Sequence, residues 1–261
     1  MNGLIAAMVT TSMSVRSVSS FTPRIVGRGG RTRDLRPQYC APDDERSGAR
    51  AVNRLHFDHP WRIAAGAAAV LAVSGLIATQ DPLPPRELSL TTWINNAPDW
   101  VASVLYLPMQ LGTVIAPLGF AVVMIVWKRD WWTAAASVVG GLATWFAAKG
   151  VKQVVKRGRP LQYLPDLHVR EGSGTGLGFI SGHSAVAACT ALIAMTVLPR
   201  RARPWLVLGA AAVGIGRIVH GVHLPADVTG GWAFGVLVGL GTIELFGRLK
   251  ERFGSSAGEA A

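Results

Sequence analysis

Six apolar runs constrain the fold of this chain more than any other feature of its sequence. They cover about residues 61–79, 104–127, 131–149, 183–198, 204–221 and 227–246. A helix needs about 20 mostly apolar residues to cross a hydrocarbon core of about 30 Å. Inside a bilayer, a helix also satisfies its own backbone hydrogen bonds. The runs therefore predict an all-α polytopic membrane protein with six transmembrane helices.

The composition agrees with a membrane protein and excludes both a disulfide framework and a Cys-rich metal site. Half of the residues are hydrophobic and only 16% are charged, although the formal net charge is +11. Much of that charge lies in the N-terminal region and in short loops, so bilayer topology explains it and we expect no nucleic-acid partner. The two cysteines, Cys40 and Cys189, provide neither a disulfide framework nor a Cys-rich metal site.

Composition also divides the chain into three parts. The first 55 or so residues contain many Arg, Ser and Gly residues without lasting periodicity, which is typical of disorder. We therefore predict a disordered basic cytoplasmic tail over residues 1–58, a six-span domain over residues 59–247, and a cytoplasmic C-terminal tail over residues 248–261.

Basic residues in the loops predict the orientation. Positive charges cluster between the second and third runs, between the fourth and fifth, and after the sixth: Lys128, Arg129, Arg200, Arg201, Arg203, Arg248, Lys250 and Arg252. Loops rich in Lys and Arg stay in the cytoplasm. An even number of spans then places both termini of this cell-membrane protein in the cytoplasm.

One loop violates this rule. The connection between the third and fourth runs should face away from the cytoplasm, yet it contains Lys149, Lys152, Lys156, Arg157, Arg159 and Arg170. Membrane topology disfavours such a cluster, whereas a site that binds an anion requires one. The exception predicts a functional site on the extracytoplasmic face.

The first candidate group lies at the start of this loop. Lys152 and Arg159 are seven residues apart, which is two turns of a helix, so we expect both to project from one face before Pro160 ends the helix. Lys156 lies on the same predicted face, and Arg157 points elsewhere. Two cations on one face suit a multiply charged anion, and a solvated basic helix end is the alternative.

The second group, Ser181, Gly182 and His183, immediately precedes the fourth run. Ser181 suits the N-cap of a helix, and Gly182 lets a ligand approach the backbone. The free N–H groups of a first helical turn bind anions. His183 is placed to donate a proton to a leaving oxygen; the alternative is an interfacial histidine without a catalytic role.

The third group lies in a short polar turn between the last two runs and contains Arg217, His223 and Asp227. Pro225 suits the first position of a new helix, which places Asp227 in its first turn. His223 can donate one ring N–H to Asp227, leaving the other nitrogen to attack or to accept a proton. Arg217 suits a phosphate or carboxylate. The alternative is that these residues snorkel at the membrane edge.

Together the three groups carry a family resemblance. Their order and spacing are Lys152-x6-Arg159-Pro160, Ser181-Gly182-His183 and Arg217-x5-His223-x3-Asp227. This pattern resembles the type 2 phosphatidic acid phosphatase (PAP2) superfamily of membrane phosphatases over about residues 60–247. Two positions depart from the family pattern: Ile180 replaces the usual Pro, and Gly216 replaces the usual Ser. We expect the loss of that hydroxyl to weaken phosphate binding without abolishing catalysis.

The resemblance implies a role for each matched residue. His223 would be the nucleophile that forms a phosphohistidine, Asp227 would orient it, and His183 would protonate the departing lipid oxygen. The phosphoryl oxygens would be held by Lys152, Arg159, Arg217, Ser181 and the backbone of Gly182. Neither a metal nor another cofactor is expected in this design.

The expected activity is metal-independent hydrolysis of a lipid phosphate. Candidate substrates are phosphatidic acid, phosphatidylglycerol phosphate and polyprenyl diphosphates such as the undecaprenyl carrier. The expected partners are this substrate and membrane lipids, and the residues do not predict an oligomeric state. Two alternatives are a lipid phosphotransferase that uses the same intermediate and a non-catalytic transporter or binding protein for lipid phosphates.

We also make predictions for two loops and for one further histidine. The loop from Gln80 to Trp100 is expected to cover the site and to select among head groups. Four glycines between Gly172 and Gly178 permit a mobile flap over the phosphate. His220, which lies outside the family pattern, is interpreted as an interfacial hydrogen-bonding residue.

Overall fold

The computed structural model describes Phe57 and residues 59–254. These residues form eight α-helices, with no strand beyond an isolated bridge between Gly158 and Leu177. The helices are α1 (Pro60–Ala78), α2 (Pro85–Asn95), α3 (Asp99–Met109), α4 (Ile115–Val123), α5 (Trp131–Val155), α6 (Gly182–Val197), α7 (Arg203–Val219) and α8 (Pro225–Gly254). The all-α prediction is confirmed.

The predicted tails can be compared with the structure only in part. Apart from Phe57, the tail predicted over residues 1–58 lies outside the described residues, as do residues 255–261. Helix α8 continues to Gly254, so the first seven residues of the predicted C-terminal tail extend the last helix.

The number of spans is close to the prediction. Four described helical segments are long and apolar enough to cross a membrane: Pro60–Ala78, Trp131–Val155, Arg200–Val219 and Pro225–Phe253. A bent pair of helices gives a fifth if it counts as one span, and α6 is a shorter apolar helix of 16 residues. The protein is therefore a multi-pass membrane protein, and six complete crossings remain a prediction.

The second apolar run is bent instead of forming one straight span. The segments Asp99–Gly112 and Ile115–Lys128 meet at 68°. Pro108 lies inside α3 and weakens the helix there because it has no backbone N–H to donate. At the bend, a Cβ on Gly112 would lie 2.7 Å from the backbone oxygen of His183. The bend therefore packs directly against the start of α6.

Large apolar side chains cover much of the outer surface of the helices. Leu76, Val126 and Val154 are 68%, 76% and 82% exposed. In water, so much apolar surface would favour association, whereas in a bilayer it faces hydrocarbon. The interior instead contains many small residues such as Ala136, Ala185 and Ala188, which allow membrane helices to approach closely.

The closest helix packing joins α8 to α6. Gly231, Gly235 and Gly239 are spaced four residues apart along α8, and all three face α6. A Cβ on Gly235 would lie only 2.0 Å from the backbone oxygen of Ala185. The glycines thus allow the two backbones to touch, which holds the beginning of α8 beside the beginning of α6.

We expect Gly235→Ala to destabilise the protein. The added methyl group would meet backbone rather than a flexible side chain, and such overpacking costs about 1–3 kcal/mol. Thermal unfolding in detergent measures the effect. Gly241→Ala is the matched control in the same helix, because a Cβ there meets nothing within 4 Å. Equal unfolding temperatures for the two variants would contradict the close packing.

The segment between α1 and α3 is more ordered than the predicted loop. Helix α2 occupies about half of residues 80–100. Its last residue, Asn95, donates hydrogen bonds to the carbonyl oxygens of His168 and Val219 at 2.8 and 2.9 Å. Asn95 also accepts a bond from the His168 backbone N–H at 2.9 Å. These bonds attach α2 both to the loop before α6 and to the end of α7.

Candidate active site

The first group of predicted residues is arranged differently from the prediction. Helix α5 ends at Val155, and Lys156 has a left-handed backbone with φ of 54°. Arg159 lies beyond the helix in an extended conformation, so Lys152 and Arg159 do not share a helical face. The residue before a proline avoids helical geometry, which explains why the helix cannot continue to Arg159. Lys156 is exposed.

The loop before α6 nevertheless brings Lys152 and Arg159 together. Lys152 Nζ donates hydrogen bonds to the carbonyl oxygens of Gly178 and Leu177 at 2.6 and 3.2 Å. The Arg159 backbone N–H donates to Gly176 at 3.1 Å, and its guanidinium donates to the Ser173 carbonyl. The glycine-rich segment predicted to be a flap is therefore bonded to both cations.

The second group lies at the start of α6, as predicted. Ser181 is the N-cap, and its hydroxyl oxygen accepts hydrogen bonds from the backbone N–H and the hydroxyl of Ser184 at 3.4 and 2.9 Å. The backbone N–H of Ser181 donates to the Asp227 carbonyl at 2.8 Å. His183, in the first turn, packs edge-on against Trp145 with ring centroids 6.1 Å apart. A backbone bond thus joins the second group to the third.

The third group forms the predicted histidine–carboxylate pair. Pro225 begins α8, and Asp227 lies in its first turn. Asp227 Oδ2 lies 3.3 Å from His223 Nδ1 and accepts the Leu224 backbone N–H at 3.0 Å. His223 and Asp227 are 2% and 0% exposed. With Nδ1 turned to the carboxylate, Nε2 is the ring nitrogen left for chemistry.

Charges from all three groups converge on the two histidines. The positive charges of Lys152, Arg159 and Arg217 act on both His183 and His223. Burial, followed by these cations, holds the pKa of His223 well below its usual range. The imidazole is therefore neutral near pH 7, which is the form that can act as a nucleophile.

The arginines of the site contain buried donors without partners. Among the described residues, buried side-chain atoms lacking a hydrogen-bond partner include the Nε atoms of Arg159 and Arg217. A buried donor without a partner costs free energy, and an anion between these side chains would satisfy it. Arg217 itself is only 6% exposed, so membrane-edge snorkelling does not describe it.

Sequence reasoning missed two charged residues that reach the site. Arg157 is buried and donates to Asp227 Oδ1 at 3.0 Å, and its other terminal nitrogen donates to Glu87 Oε2. Glu87 lies in α2, and its Oε1 accepts the Ala226 backbone N–H at 2.9 Å. Burial alone would lower the pKa of Arg157, but the carboxylates of Asp227 and Glu87 raise it above its ordinary value. No motif in the sequence links Glu87 to this site.

Comparisons with known proteins point to one family. The model of the PAP2 superfamily matches residues 130–251, which contain all three groups of site residues. Over these residues, the chain is similar to the PAP2 superfamily. Decaprenylphosphoryl-5-phosphoribose phosphatase of Mycolicibacterium smegmatis is 36% identical over 106 residues, which are 40% of this chain and 54% of that protein. The chain thus spans about half the length of that curated relative.

Two solved structures share the fold of this protein. A transmembrane PAP2 type phosphatidylglycerolphosphate phosphatase from Bacillus subtilis superposes with a TM-score of 0.60 at 20% identity. The match covers 73% of this chain and 98% of that one. LpxE of Aquifex aeolicus superposes with a TM-score of 0.56 at 22% identity, covering 60% and 94% of the two chains.

The structure accounts for both departures from the PAP2 pattern. A Cβ on Gly216 would lie 2.7 Å from Met109 Cγ, so Met109 occupies the space that a serine side chain would need. Ile180 is fully buried in a small apolar cluster with Ala78, Ala148 and Phe179. His220 Nδ1 lies 2.8 Å from the Gly216 carbonyl oxygen, which agrees with its interpretation as a hydrogen-bonding residue.

Proposed function

We propose that this protein is a PAP2 membrane phosphatase that hydrolyses a lipid phosphate through a phosphohistidine on His223. The observation that carries the proposal is the buried His223–Asp227 pair, with Nδ1 and Oδ2 3.3 Å apart, beside the cations Lys152, Arg159 and Arg217. A neutral imidazole next to a cationic cluster suits attack on a phosphoryl group, because the cations stabilise charge on its oxygens.

The first chemical step transfers the phosphoryl group to the enzyme. His223 Nε2 attacks phosphorus while the bond from phosphorus to the lipid oxygen breaks. His183 donates a proton to that oxygen, which leaves as the lipid alcohol, or as the lipid monophosphate if the substrate is a diphosphate. Asp227 accepts the Nδ1–H of His223 and stabilises the positive charge that develops on the ring.

The second step releases phosphate. Water attacks the phosphorus of the phosphohistidine, and the proton that it loses passes to His183. The bond from Nε2 to phosphorus breaks, which returns both histidines to their starting states. During both steps Lys152, Arg159 and Arg217 hold the phosphoryl oxygens, with the Ser181 hydroxyl and the Gly182 backbone as further donors.

The position of the site favours a lipid substrate. His223 lies in the turn that connects α7 to α8, and Asp227 lies in the first turn of α8, so both are at one end of two apolar helices. A phosphate can therefore enter the polar pocket while the lipid tail stays in hydrocarbon. By the distribution of basic loops, this end faces the extracytoplasmic side of the cell membrane and both termini face the cytoplasm.

A phosphate-release assay over purified lipid phosphates tests the function. The panel comprises phosphatidic acid, phosphatidylglycerol phosphate, a polyprenyl diphosphate and a polyprenyl phosphoribose phosphate, the last suggested by the Mycolicibacterium relative. We expect release from at least one of these, at a rate that excess chelator leaves unchanged, because protein cations supply the positive charge. Loss of release with chelator would contradict the metal-independent mechanism.

The same assay separates hydrolysis from phosphotransfer. If water resolves the phosphohistidine, adding an acceptor lipid alcohol leaves the yield of free phosphate unchanged. If a phosphotransferase is the correct description, free phosphate falls and phosphorylated acceptor appears in equal amount. A protein that binds lipid phosphates without releasing phosphate from any of them would instead support the transport or binding alternative.

A further inference from the structure

Two residues that the family pattern does not specify are linked to the carboxylate of Asp227. Arg157 contacts it directly, and Glu87 contacts it through Arg157. Asp227 accepts a hydrogen bond from Arg157, and Arg157 in turn donates to Glu87. Both partners of Arg157 are 70 residues away from it in the chain. The side chains of Arg157, Glu87 and Asp227 are 1%, 6% and 0% exposed. These three buried charges form one chain that ends at His223.

Each oxygen of Asp227 has its own donors, so the carboxylate has a single orientation. Oδ1 receives the Arg157 guanidinium, and Oδ2 receives the Leu224 N–H and faces His223 Nδ1. On one side, a Cβ on Gly178 would lie only 2.8 Å from Oδ2. Rotation of the carboxylate away from His223 would break the bond to Arg157 and the bond to Leu224 together.

Glu87 fixes Arg157 in turn. One of its oxygens accepts from Arg157, and the other accepts the Ala226 backbone N–H at 2.9 Å. Ala226 immediately precedes Asp227, so Glu87 holds both the guanidinium and the turn from which Asp227 projects. Without Glu87, the buried guanidinium would keep one carboxylate and lose the other, and it would no longer be held in one place.

We propose that Glu87 and Arg157 are positioning residues that hold Asp227 in the orientation required to fix the His223 tautomer. The proposal rests on the function proposed for His223. It assigns to helix α2 a part in catalysis that differs from the head-group selection expected from the sequence. Neither residue touches the phosphate, and both act through Asp227.

Glu87→Gln is the most informative variant, because it keeps the shape of the side chain. A glutamine has one carbonyl oxygen, whereas Glu87 accepts from donors at both of its oxygens, so one of the two hydrogen bonds must be lost. We expect kcat for phosphate release to fall by about 10- to 100-fold, which is the loss typical when a residue that orients a metal-binding histidine is replaced. KM and competitive inhibition by inorganic phosphate should stay unchanged, because the cations that hold phosphate are untouched.

Arg157→Lys provides a second, conservative test. Lysine keeps the positive charge but cannot bridge two carboxylates with a planar fork. We expect a similar fall in kcat with unchanged phosphate inhibition. Glu244→Gln is the matched control, because within the described part of the chain Glu244 bonds an exposed arginine, Arg248, and no other residue. We expect its kcat to equal that of the wild type.

A double-mutant cycle distinguishes positioning from general support of the fold. If Glu87 acts through Asp227, adding Glu87→Gln to Asp227→Asn should cause no further loss of kcat. Losses that multiply in the double variant would overturn the proposal. The proposal would also be overturned if the inhibition constant of inorganic phosphate rose by the same factor by which kcat fell. The defect would then lie in the anion pocket.

The histidine tautomer gives a readout that does not depend on turnover. Nitrogen NMR of ¹⁵N-histidine-labelled protein in detergent should show His223 protonated at Nδ1 in the wild type and a mixture of tautomers in Glu87→Gln. If the wild type releases no phosphate, but its His223 tautomer still differs from that of Glu87→Gln as described, the proposed function is refuted and the positioning role is kept. An unchanged tautomer in the variant would refute the positioning role alone.

Discussion

Replacing His223 with alanine is expected to reduce phosphate release below detection. Other covalent enzymes lose on the order of 10⁶-fold in kcat when their nucleophile is removed. The second histidine of the site, His183, is not placed to substitute for it, because His183 lies in α6 and packs against Trp145 instead of a carboxylate. The measurement is phosphate release, together with trapping of an acid-labile phosphoenzyme from radiolabelled substrate.

The variant should remain folded and should still bind phosphate. Inorganic phosphate should raise the thermal unfolding temperature of His223→Ala as it does for the wild type, since Lys152, Arg159 and Arg217 are intact. His59→Ala is the matched control, because His59 is an exposed residue before α1 and should retain wild-type activity. Phosphoenzyme that still accumulates in His223→Ala would show that another residue is the nucleophile.

Asp227→Asn is expected to lower kcat by about 10⁴-fold, the loss known when a carboxylate that orients a catalytic histidine becomes an amide. Three donors point at this carboxylate: the Arg157 guanidinium, the Leu224 N–H and His223 Nδ1. An amide group has only one oxygen, so its NH₂ must face at least one of them. An NH₂ facing His223 would force Nδ1 to accept, which places the proton on Nε2 and removes the attacking lone pair.

The pH dependence of the variant and a matched control test this explanation. Asp99→Asn changes an exposed carboxylate that bonds Arg170, and it should leave kcat unchanged. Raising the pH should not restore Asp227→Asn, because the defect is a wrong tautomer of a neutral ring and not an unwanted charge. Recovery of activity at high pH would point instead to protonation of His223 in the variant.

The sequence alone predicted the helical membrane fold and several local features of the candidate site. Apolar runs of spanning length predict helices because hydrocarbon leaves backbone groups no other partners. The N-cap at Ser181 and the start of α8 at Pro225 follow from local preferences. Local spacing also predicted the contact between His223 and Asp227, because they lie only four residues apart.

Predictions that extended a regular helix were less successful. The seven-residue spacing of Lys152 and Arg159 suggested one helical face, but the helix ends at Val155. The second apolar run is broken by a 68° bend. Both differences arise where Pro or Gly residues allow a helix to break and where neighbouring segments pack against the break. In each case the pattern predicted the element but not its end, since helix ends depend on what packs against them.

Only the tertiary structure revealed the chain of buried charges that ends at His223. Glu87 and Arg157 are 70 residues apart, as are Arg157 and Asp227, and no spacing rule relates residues so distant in sequence. The glycines of α8 bring its start against α6, and α2 then covers the same end of the helices. The residues to which we assign the chemistry could be identified from local pattern. Their supporting partners could not, because long-range pairing depends on how the helices pack.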